Sequence, residues 1–156
     1  MSRIEAKLRS LGVDLPDPPS PVAAYVPVRV ACGLAYVSGQ IPMIGGKIVA
    51  KGPVPSVVSP EDAAQAARLC AINGLAALRQ SLGDLDRIKG IVRLGVFVAS
   101  DAGFTGQPAV ANGASEFLVE VFGDAGRHVR AAVGSVSLPL GVTVEVEMTV
   151  ECSQSL

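Results

Sequence analysis

The chain has 156 residues, of which 49% are hydrophobic and 17% charged, and its formal net charge is −1. This length fits one domain that buries a core without disulfides or metal ions. The near-neutral charge, the 4% of aromatic residues and the lack of Trp disfavour a nucleic-acid partner. No apolar run approaches the roughly 18 residues of a membrane-spanning helix, and the start lacks a signal-peptide core. We therefore expect a cytoplasmic protein with no membrane partner, and its apolar composition favours contact with another subunit.

Cysteine and histidine residues form no recognisable metal-binding pattern. Cys32, Cys70 and Cys152 are far apart, at none of the spacings that bind zinc or form a redox pair. We expect all three to be reduced and mostly buried. His128 is the only histidine and cannot form a familiar metal cluster, so we favour a structural role for it over proton transfer.

The first 24 residues predict a helix followed by a connector. Ser2 and Glu5 fit a capping box, and apolar residues at 4, 8 and 11 recur at helical spacing. Prolines at 16, 18, 19 and 21 then form an extended segment that holds this helix away from the main fold. We interpret residues 1–24 as an appendage and residues 25–156 as a single domain.

The remaining pattern predicts an α+β domain. Ser59 and Pro60 mark a helix start, and Gly83 marks its end. Asn112 and Gly113 are weak helix formers inside a second helix, where they indicate a kink or a late start. The predicted strands are 25–31, 34–40, 47–49, 88–100, 129–138 and 142–152, and the predicted helices are 60–82 and 108–122. This order places two helices among the strands of a mostly antiparallel sheet.

Alternating residues separate a buried face from a polar face in two of these strands. The alternation in segment 88–100 predicts a central strand, and its apolar face carries Val92, Leu94, Val96 and Val98. In the last strand the even-numbered residues from 142 to 150 are apolar, whereas the odd-numbered ones are Thr or Glu. These acidic residues are expected to face water unless a ligand lies beside them.

The last two strands carry the candidate chemistry. Arg130 shares a strand face with Ala132 and Gly134, small residues that leave room for a ligand. Its planar guanidinium suits a carboxylate, and the alternative is a salt bridge to Glu145 or Glu147. A carboxylate such as that of Glu145, close to a bound ligand, can orient or deprotonate water.

A tight hairpin would keep these two residues apart. If residues 139–141 joined the last two strands as a hairpin, Arg130 would lie roughly 17 Å from Glu145. Either the strands are not hairpin partners, or the site is assembled otherwise, for instance across subunits. Ser38 and Gly39, at a strand end, offer a hydroxyl and a backbone donor to a ligand, or they form a turn or bulge.

Several segments together resemble the Rid (YjgF) family, which includes reactive-intermediate deaminases and proteins labelled endoribonuclease L-PSP. Tyr25 and residues 36–42, Tyr-Val-Ser-Gly-Gln-Ile-Pro, are similar to its N-terminal signature. Asn73 and Gly83 match positions in its first helix. Arg130, with Leu-Pro at 138–139 and Glu-Val-Glu at 145–147, is similar to its C-terminal signature.

The resemblance implies a chorismate-mutase-like fold that assembles as a homotrimer with clefts between subunits. It implies Arg130 as the binder of the ligand's carboxylate and Glu145 as the residue that activates water. Tyr25, Ser38, the Gly39 backbone and Asn112 would line the cleft. The implied reaction is hydrolysis of an enamine or imine, such as 2-aminoacrylate, to a 2-keto acid and ammonia. It needs no cofactor, because the imine carbon is electrophilic once protonated, and the resemblance implies no metal.

Departures from the family pattern keep other functions open. Ala132 stands where many members have a cysteine, and Ser115 stands where an aromatic residue is common. With the N-terminal helix, these departures indicate a longer branch of the family. A non-catalytic, small-carboxylate-binding trimer is therefore the second hypothesis. Endoribonuclease is the third, because a single histidine and the lack of a basic stripe suit RNA cleavage poorly.

Overall fold

Five strands form one sheet, and two helices pack against it. The computed structural model describes residues 2–18 and 24–153. Short 3-10 turns occupy Leu85–Arg87, Gly123–Gly126 and Pro139–Gly141. The other elements in chain order are α1 (Arg3–Ser10), β1 (Val28–Ala31), β2 (Leu34–Gln40), β3 (Met43–Ile44), β4 (Lys47–Ile48), α2 (Pro60–Leu82), β5 (Ile88–Ala99), α3 (Gln107–Phe122), β6 (Val129–Ser135) and β7 (Val144–Cys152).

The strand order in the sheet is β1-β2-β7-β5-β6, and β3 and β4 form a separate two-stranded ribbon. Neighbouring strands pair antiparallel except β5 and β6, which run parallel. A parallel pair needs a crossover connection, and α3 provides it. These observations confirm the predicted α+β class, with a mostly antiparallel sheet and two packed helices. They also confirm that the segment 88–100 is a central strand.

The helix α2 begins and ends where its sequence predicts. The Ser59 hydroxyl accepts a hydrogen bond from the Asp62 amide at 3.1 Å, and Pro60 occupies the first turn. Gly83 follows the last turn with φ +77°, a left-handed conformation that favours glycine. The buried residues of α2 are mostly small, which lets its neighbours approach closely.

Apolar side chains of β5 and β7 form the centre of the core. The predicted alternation in the last strand is confirmed, because every even-numbered residue from 142 to 150 is buried. The expectation that Val92 joins the buried face of β5 is wrong. The pairing of β5 with β7 shifts register between Ile91 and Arg93, so that Ile91 is buried and Val92 is 40% exposed.

The strands end within a few residues of their predicted limits. The strand β1 begins at Val28 rather than residue 25, directly after Pro27, which has no N–H to donate to a sheet. The strand β6 ends at Ser135 rather than residue 138, because its pairing partner β5 ends at Ala99. Tyr25 therefore lies outside the sheet.

The N-terminal helix packs against the rest of the protein. Ile4 and Leu8 are buried in the common core. The Asp86 carboxylate accepts hydrogen bonds from the amides of Arg3 and Ile4 at 2.8 and 2.9 Å, and these bonds lower the pKa of Asp86. The expectation that the connector holds this helix away from the main fold is wrong, since burial of its apolar side chains draws it in. Prolines 19 and 21 lie outside the described residues, and the domain boundary near residue 24 stays a prediction.

The cysteines are all free, as expected. Cys70 and Cys152 are buried, whereas Cys32 is exposed in the turn between β1 and β2. Burial raises the pKa of the Cys70 thiol, and the negative charge of Glu145 raises it further. In the part of the chain that the structure describes, no helix combines the length and apolarity needed to cross a membrane.

Gly113 allows α2 and α3 to pack closely. The helix α3 runs without interruption through Asn112 and Gly113, so the expected kink or late start is wrong. A Cβ atom at Gly113 would overlap the carbonyl oxygen of Ala64 in α2. The glycine is therefore explained by the space between two helices rather than by a break in one.

Replacing Gly113 by Ala is expected to destabilise the protein. Alanine usually stabilises a helix interior by about 0.5–1 kcal/mol relative to glycine. Here the overlap with a backbone oxygen forces the helices apart, and we expect a net loss of about 1–3 kcal/mol in the free energy of unfolding. Chemical denaturation measures this change. Glu116→Ala, at an exposed position of the same helix, should change stability by about 0.5 kcal/mol or less. A more stable Gly113→Ala variant would contradict the packing argument.

Candidate functional site

Arg130 is held by one face of α3. Its Nη1 donates to Asn112 Oδ1 at 2.9 Å and to Ser115 Oγ at 3.0 Å, and its Nη2 donates to the Pro108 carbonyl at 3.3 Å. Positions 108, 112 and 115 are four and three residues apart, which places them on one side of the helix. The structure thus brings the predicted residues Arg130 and Asn112 into contact. It also adds Ser115, which the sequence analysis did not assign to the site although its spacing from Asn112 is a usable signal.

One edge of the Arg130 guanidinium remains available. Both protons of Nη1 and one proton of Nη2 are donated to α3. Within residues 2–18 and 24–153, no group accepts a hydrogen bond from Arg130 Nε. The Nε–H and the second Nη2–H make up one of the two-proton forks with which arginine binds a carboxylate.

His128 contacts the same cluster. Its Nε2 lies 2.9 Å from Ser115 Oγ, and its Nδ1 lies 2.6 Å from the Gly126 carbonyl oxygen. Both ring nitrogens are therefore engaged within the protein. This arrangement supports the structural role expected for His128 and links it, through Ser115, to Arg130.

Glu145 lies on the sheet face opposite the helices. It pairs with Phe97 of β5, while residues 144 and 146 on either side are buried in the core. The carboxylate is half-buried, and this burial raises the pKa of Glu145, with the negative charge of Glu147 raising it further. A Cβ atom at Gly39 would overlap Glu145 Oε1. The Glu145 side chain thus lies directly on the Gly39 backbone, and only glycine leaves room for it.

Ser38 and Gly39 form an irregularity in β2. Pairing of β2 with β7 shifts register between Val37 and Gln40, so one of the two sequence interpretations, a bulge, is confirmed. A bulge is also compatible with Ser38 and Gly39 offering a hydroxyl and a backbone donor to a ligand, because the bulge lies beside the Glu145 carboxylate.

Asn73 supports the segment that follows this bulge. Its side-chain amide donates to the carbonyls of Ile41 and Met43 at 3.0 and 3.1 Å. Asn73 is itself 8% exposed, so these bonds satisfy a buried polar group. The asparagine therefore ties α2 to the chain just after Ser38 and Gly39.

Tyr25 and Ser38 line a shallow cavity of about 500 Å³ on the open face of the sheet. Tyr25 is 59% exposed there. Two arginines that the sequence analysis missed, Arg29 and Arg93, line the same cavity. Arg93 Nη1 forms a salt bridge with Glu147 Oε1 at 3.0 Å, so Glu147 is paired with this arginine and not with Arg130. A larger cavity of about 580 Å³, between the start of α2 and the β3–β4 ribbon, contains none of the predicted site residues.

Arg130 and Glu145 are separated within one chain. The strand β5 lies between β6 and β7, so the last two strands are not hairpin partners. Arg130 pairs with Leu94 of β5, and Glu145 pairs with Phe97 of the same strand. Three positions along a strand correspond to roughly 10 Å and to opposite faces. The predicted residues thus form two groups, with Arg130 and Asn112 on the helix side and Glu145, Gly39, Ser38 and Tyr25 on the open side.

Most of the chain matches a known protein family. The family model described as "YjgF/chorismate mutase-like, putative endoribonuclease" matches residues 5–152. The chain belongs to this family. It is 41% identical over 152 residues to Protein TCP17 of Trypanosoma cruzi, with 96% of this chain and 94% of that protein covered.

Solved structures share the fold. A protein of unknown function from Agrobacterium tumefaciens is 45% identical, with a TM-score of 0.90 over 96% of this chain and 92% of that one. The YjgF gene product of E. coli is 25% identical, with a TM-score of 0.63 over 86% of this chain and 93% of that one. This chain therefore resembles the Agrobacterium protein more closely than it resembles E. coli YjgF.

Replacing Glu145 by Gln is expected to stabilise the protein at neutral pH. Folding raises the pKa of Glu145, so the native state holds this proton more tightly than the unfolded state does. The free energy of unfolding therefore falls as pH rises from the unfolded-state pKa of Glu145 through its folded-state pKa. Above the raised pKa, the ionised carboxylate destabilises the native state through its burial and its repulsion by Glu147, and Gln removes this destabilisation. The gain should disappear in acid, where Glu145 is protonated in both states.

Unfolding free energies of the wild type and Glu145→Gln, measured across this pH range, check the prediction. Glu151→Gln, at an exposed position of the same strand, is the matched control and should show no comparable gain. A Glu145→Gln variant that is less stable at neutral pH would contradict the raised pKa of Glu145.

Proposed function

We propose that this protein hydrolyses reactive enamines and imines of the 2-aminoacrylate type to 2-keto acids and ammonia, in clefts between the subunits of a homotrimer. One observation carries the proposal: an arginine with an open carboxylate-binding edge lies on one side of the sheet, and a half-buried carboxylate lies on the other. The resemblance to the Rid family, whose members include reactive-intermediate deaminases, points to the same activity.

Arg130 supports recognition of a 2-imino acid. Such a substrate carries its carboxylate next to the imine carbon, so a two-proton grip on the carboxylate also fixes the position of the reacting carbon. Asn112 and Ser115 hold the guanidinium from the other side, which reduces the ordering needed when a ligand binds. Ala132 lies on the same face of β6. The expectation that Gly134 also leaves room for a ligand is wrong, because Gln107 and Ser100 fill the space above it.

A second subunit is needed to complete this site. Within one chain, a ligand held by Arg130 is separated from Glu145 by β5 and by the thickness of the sheet. The open sheet face carries apolar side chains that favour a protein partner: Tyr36, Val129 and Val133 are 47%, 67% and 47% exposed. A neighbouring copy packed there would bring Arg130 of one subunit toward Glu145 of the next.

The proposed chemistry adds one water molecule and releases one ammonia. An enamine first tautomerises to the imine. Glu145 then takes a proton from water while the water oxygen bonds to the imine carbon and the C=N π pair moves to nitrogen. Glu145 passes this proton to nitrogen, and the hydroxyl proton is then transferred to the same nitrogen. The C–N bond breaks with its electron pair as ammonia leaves, while the C=O bond forms and Glu145 is again ionised. A raised pKa suits Glu145 to both accepting and returning a proton.

Two substitutions should strongly reduce turnover for different reasons. Arg130→Ala removes a charge-assisted fork and should lower kcat/KM by roughly 100-fold or more. Glu145→Gln keeps the shape but removes the base, and should lower kcat by about 10²–10⁴-fold. The measurement is release of 2-keto acid and ammonia from 2-imino acids generated in solution, above the uncatalysed rate.

Matched controls for these variants lie close by. Arg127→Ala removes an exposed arginine that pairs with Asp124 on the surface, and Glu151→Gln removes an exposed acid. Both should keep wild-type activity. Wild-type protein that is inactive on a panel of 2-imino acids would refute the deaminase proposal.

The acid side of the pH–rate profile should report Glu145. Because the base must be ionised, kcat/KM should fall as pH drops through a pKa higher than that of an ordinary glutamate. Glu147→Gln removes the neighbouring negative charge and releases Arg93 from its salt bridge, and both changes lower the pKa of Glu145. The acid limb of Glu147→Gln should therefore move to lower pH. A shift to higher pH would contradict this origin of the raised pKa.

A non-catalytic trimer that binds small carboxylates is the second candidate. It is favoured by Ala132, which leaves no thiol on the Arg130 face of β6. Binding of pyruvate that depends on Arg130, without turnover of any 2-imino acid, would support it. Turnover that is lost in Glu145→Gln would refute it.

Ribonuclease activity, which the family description also names, has less support. Both ring nitrogens of His128 are engaged with Ser115 and Gly126, which leaves this histidine poorly placed to exchange protons with RNA. RNA cleavage by the wild type that is lost in His128→Ala or Glu145→Gln would reverse this ranking.

A further inference from the structure

A continuous chain of hydrogen bonds runs from the Gly126 carbonyl to the Arg130 guanidinium. His128 Nδ1 lies 2.6 Å from the Gly126 oxygen, His128 Nε2 lies 2.9 Å from Ser115 Oγ, and Arg130 Nη1 lies 3.0 Å from the same Oγ. Both side-chain contacts of Ser115 are partly buried, where hydrogen bonds are stronger than in water. The four groups lie on α3, on β6 and on the segment that joins them.

The position of each proton follows from the chemistry of the acceptors. A backbone carbonyl only accepts, so His128 Nδ1 must carry a proton. In a neutral imidazole, Nε2 then has a free lone pair, and the Ser115 hydroxyl donates to it. Arginine only donates, so Ser115 Oγ accepts from Arg130. Every donor in the chain meets an acceptor, and no alternative proton placement in a neutral imidazole satisfies all three contacts.

We infer that Ser115 and His128 are positioning residues that fix the orientation of Arg130, with His128 Nδ1 donating its proton to the Gly126 carbonyl. The inference deepens the proposed function and rests on it for the role of Arg130 as carboxylate binder. His128 orients the Ser115 hydroxyl, and the hydroxyl oxygen then fixes one Nη1 proton of Arg130. Together with Asn112, this leaves the Nε and Nη2 edge directed away from α3 and available to a ligand.

In this arrangement His128 contributes to ligand binding without contacting the ligand. A catalytic or binding group must be held within about 0.5 Å of its productive geometry by neighbouring side chains. Misplacement by about 1 Å can cost roughly 100-fold. Loss of either Ser115 or His128 should therefore weaken carboxylate binding even though neither touches the ligand.

The first test is independent of any activity. His128 is the only histidine in the sequence, so the side-chain ¹⁵N signals of a tag-free, selectively labelled protein belong to one residue. We expect the neutral imidazole to carry its proton on Nδ1 and not on Nε2. Rotation of the Arg130 guanidinium, followed through its own ¹⁵N signals, should be slow in the wild type and faster in Ser115→Ala. An Nε2–H form, or an equally mobile guanidinium in both proteins, would overturn the inference.

The second test measures binding of pyruvate as a stable carboxylate probe. Ser115→Ala and His128→Ala should weaken binding by about 10- to 100-fold, and should raise KM more than they lower kcat for a turned-over 2-imino acid. Ser115→Thr keeps the hydroxyl, and His128→Gln keeps an acceptor for it, so both should bind within a few-fold of the wild type. Ser135→Ala, in the same strand as Arg130, is the control, because the Ser135 hydroxyl donates to the Ser137 carbonyl and not to the Arg130 cluster.

The outcomes separate this inference from the proposed function. Wild-type protein that binds pyruvate through Arg130 but is indifferent to Ser115→Ala and His128→Ala overturns the positioning role alone. Wild-type protein that binds no carboxylate refutes the proposed function. The ¹⁵N measurement then still decides whether the chain of hydrogen bonds from Gly126 to Arg130 exists. Stoichiometric labelling of Ser115 by a fluorophosphonate would identify its hydroxyl as a nucleophile and would also overturn a purely positioning role.

Discussion

The insertion of β5 between β6 and β7 is the constraint on which the rest of the structure depends. Because β5 and β6 run parallel, the chain must cross over through α3, and that helix then supplies the three acceptors that hold Arg130. Because β7 pairs with β5 so that Glu145 faces Phe97, the carboxylate emerges on the other side of the sheet. A single sheet therefore separates a cation that can bind an anion from an acid that can move a proton.

This separation has an electrostatic consequence. An arginine in contact with Glu145 would favour the ionised carboxylate and lower its pKa. Within one chain Arg130 lies on the opposite face, so burial and the nearby Glu147 dominate, and the pKa of Glu145 is raised. Among residues 2–18 and 24–153, Arg130 forms no salt bridge, because its three partners in α3 are neutral oxygens. Its positive charge thus remains available to an anion from outside the chain.

Local chemistry made much of the fold predictable, and long-range packing accounts for the errors. Ser59, Pro60 and Gly83 act within one helical turn, so the limits of α2 could be read directly. Val92 was assigned to the wrong face because a register shift against β7 leaves no mark on the alternation of β5 itself. Gly113 looked like a defect in α3, since its neighbour Ala64 lies in a different helix and far away in sequence.

The sequence alone determined the α+β class, the order of the helices and of the five strands of the main sheet along the chain, the family, and the candidate residues Arg130, Glu145 and Asn112. Caps, periodicity and signature spacing are local properties, whereas the two-residue strand β3 has no such signal and was not predicted. Only the tertiary structure decided which of these residues meet. Strand order and register are set by pairing between distant segments, and a shift of one residue reverses the face on which a side chain lies. That is why the contacts of Arg130 with Asn112 and Ser115, the packing of Glu145 on Gly39, and the division of the site between two faces of the sheet came from the fold.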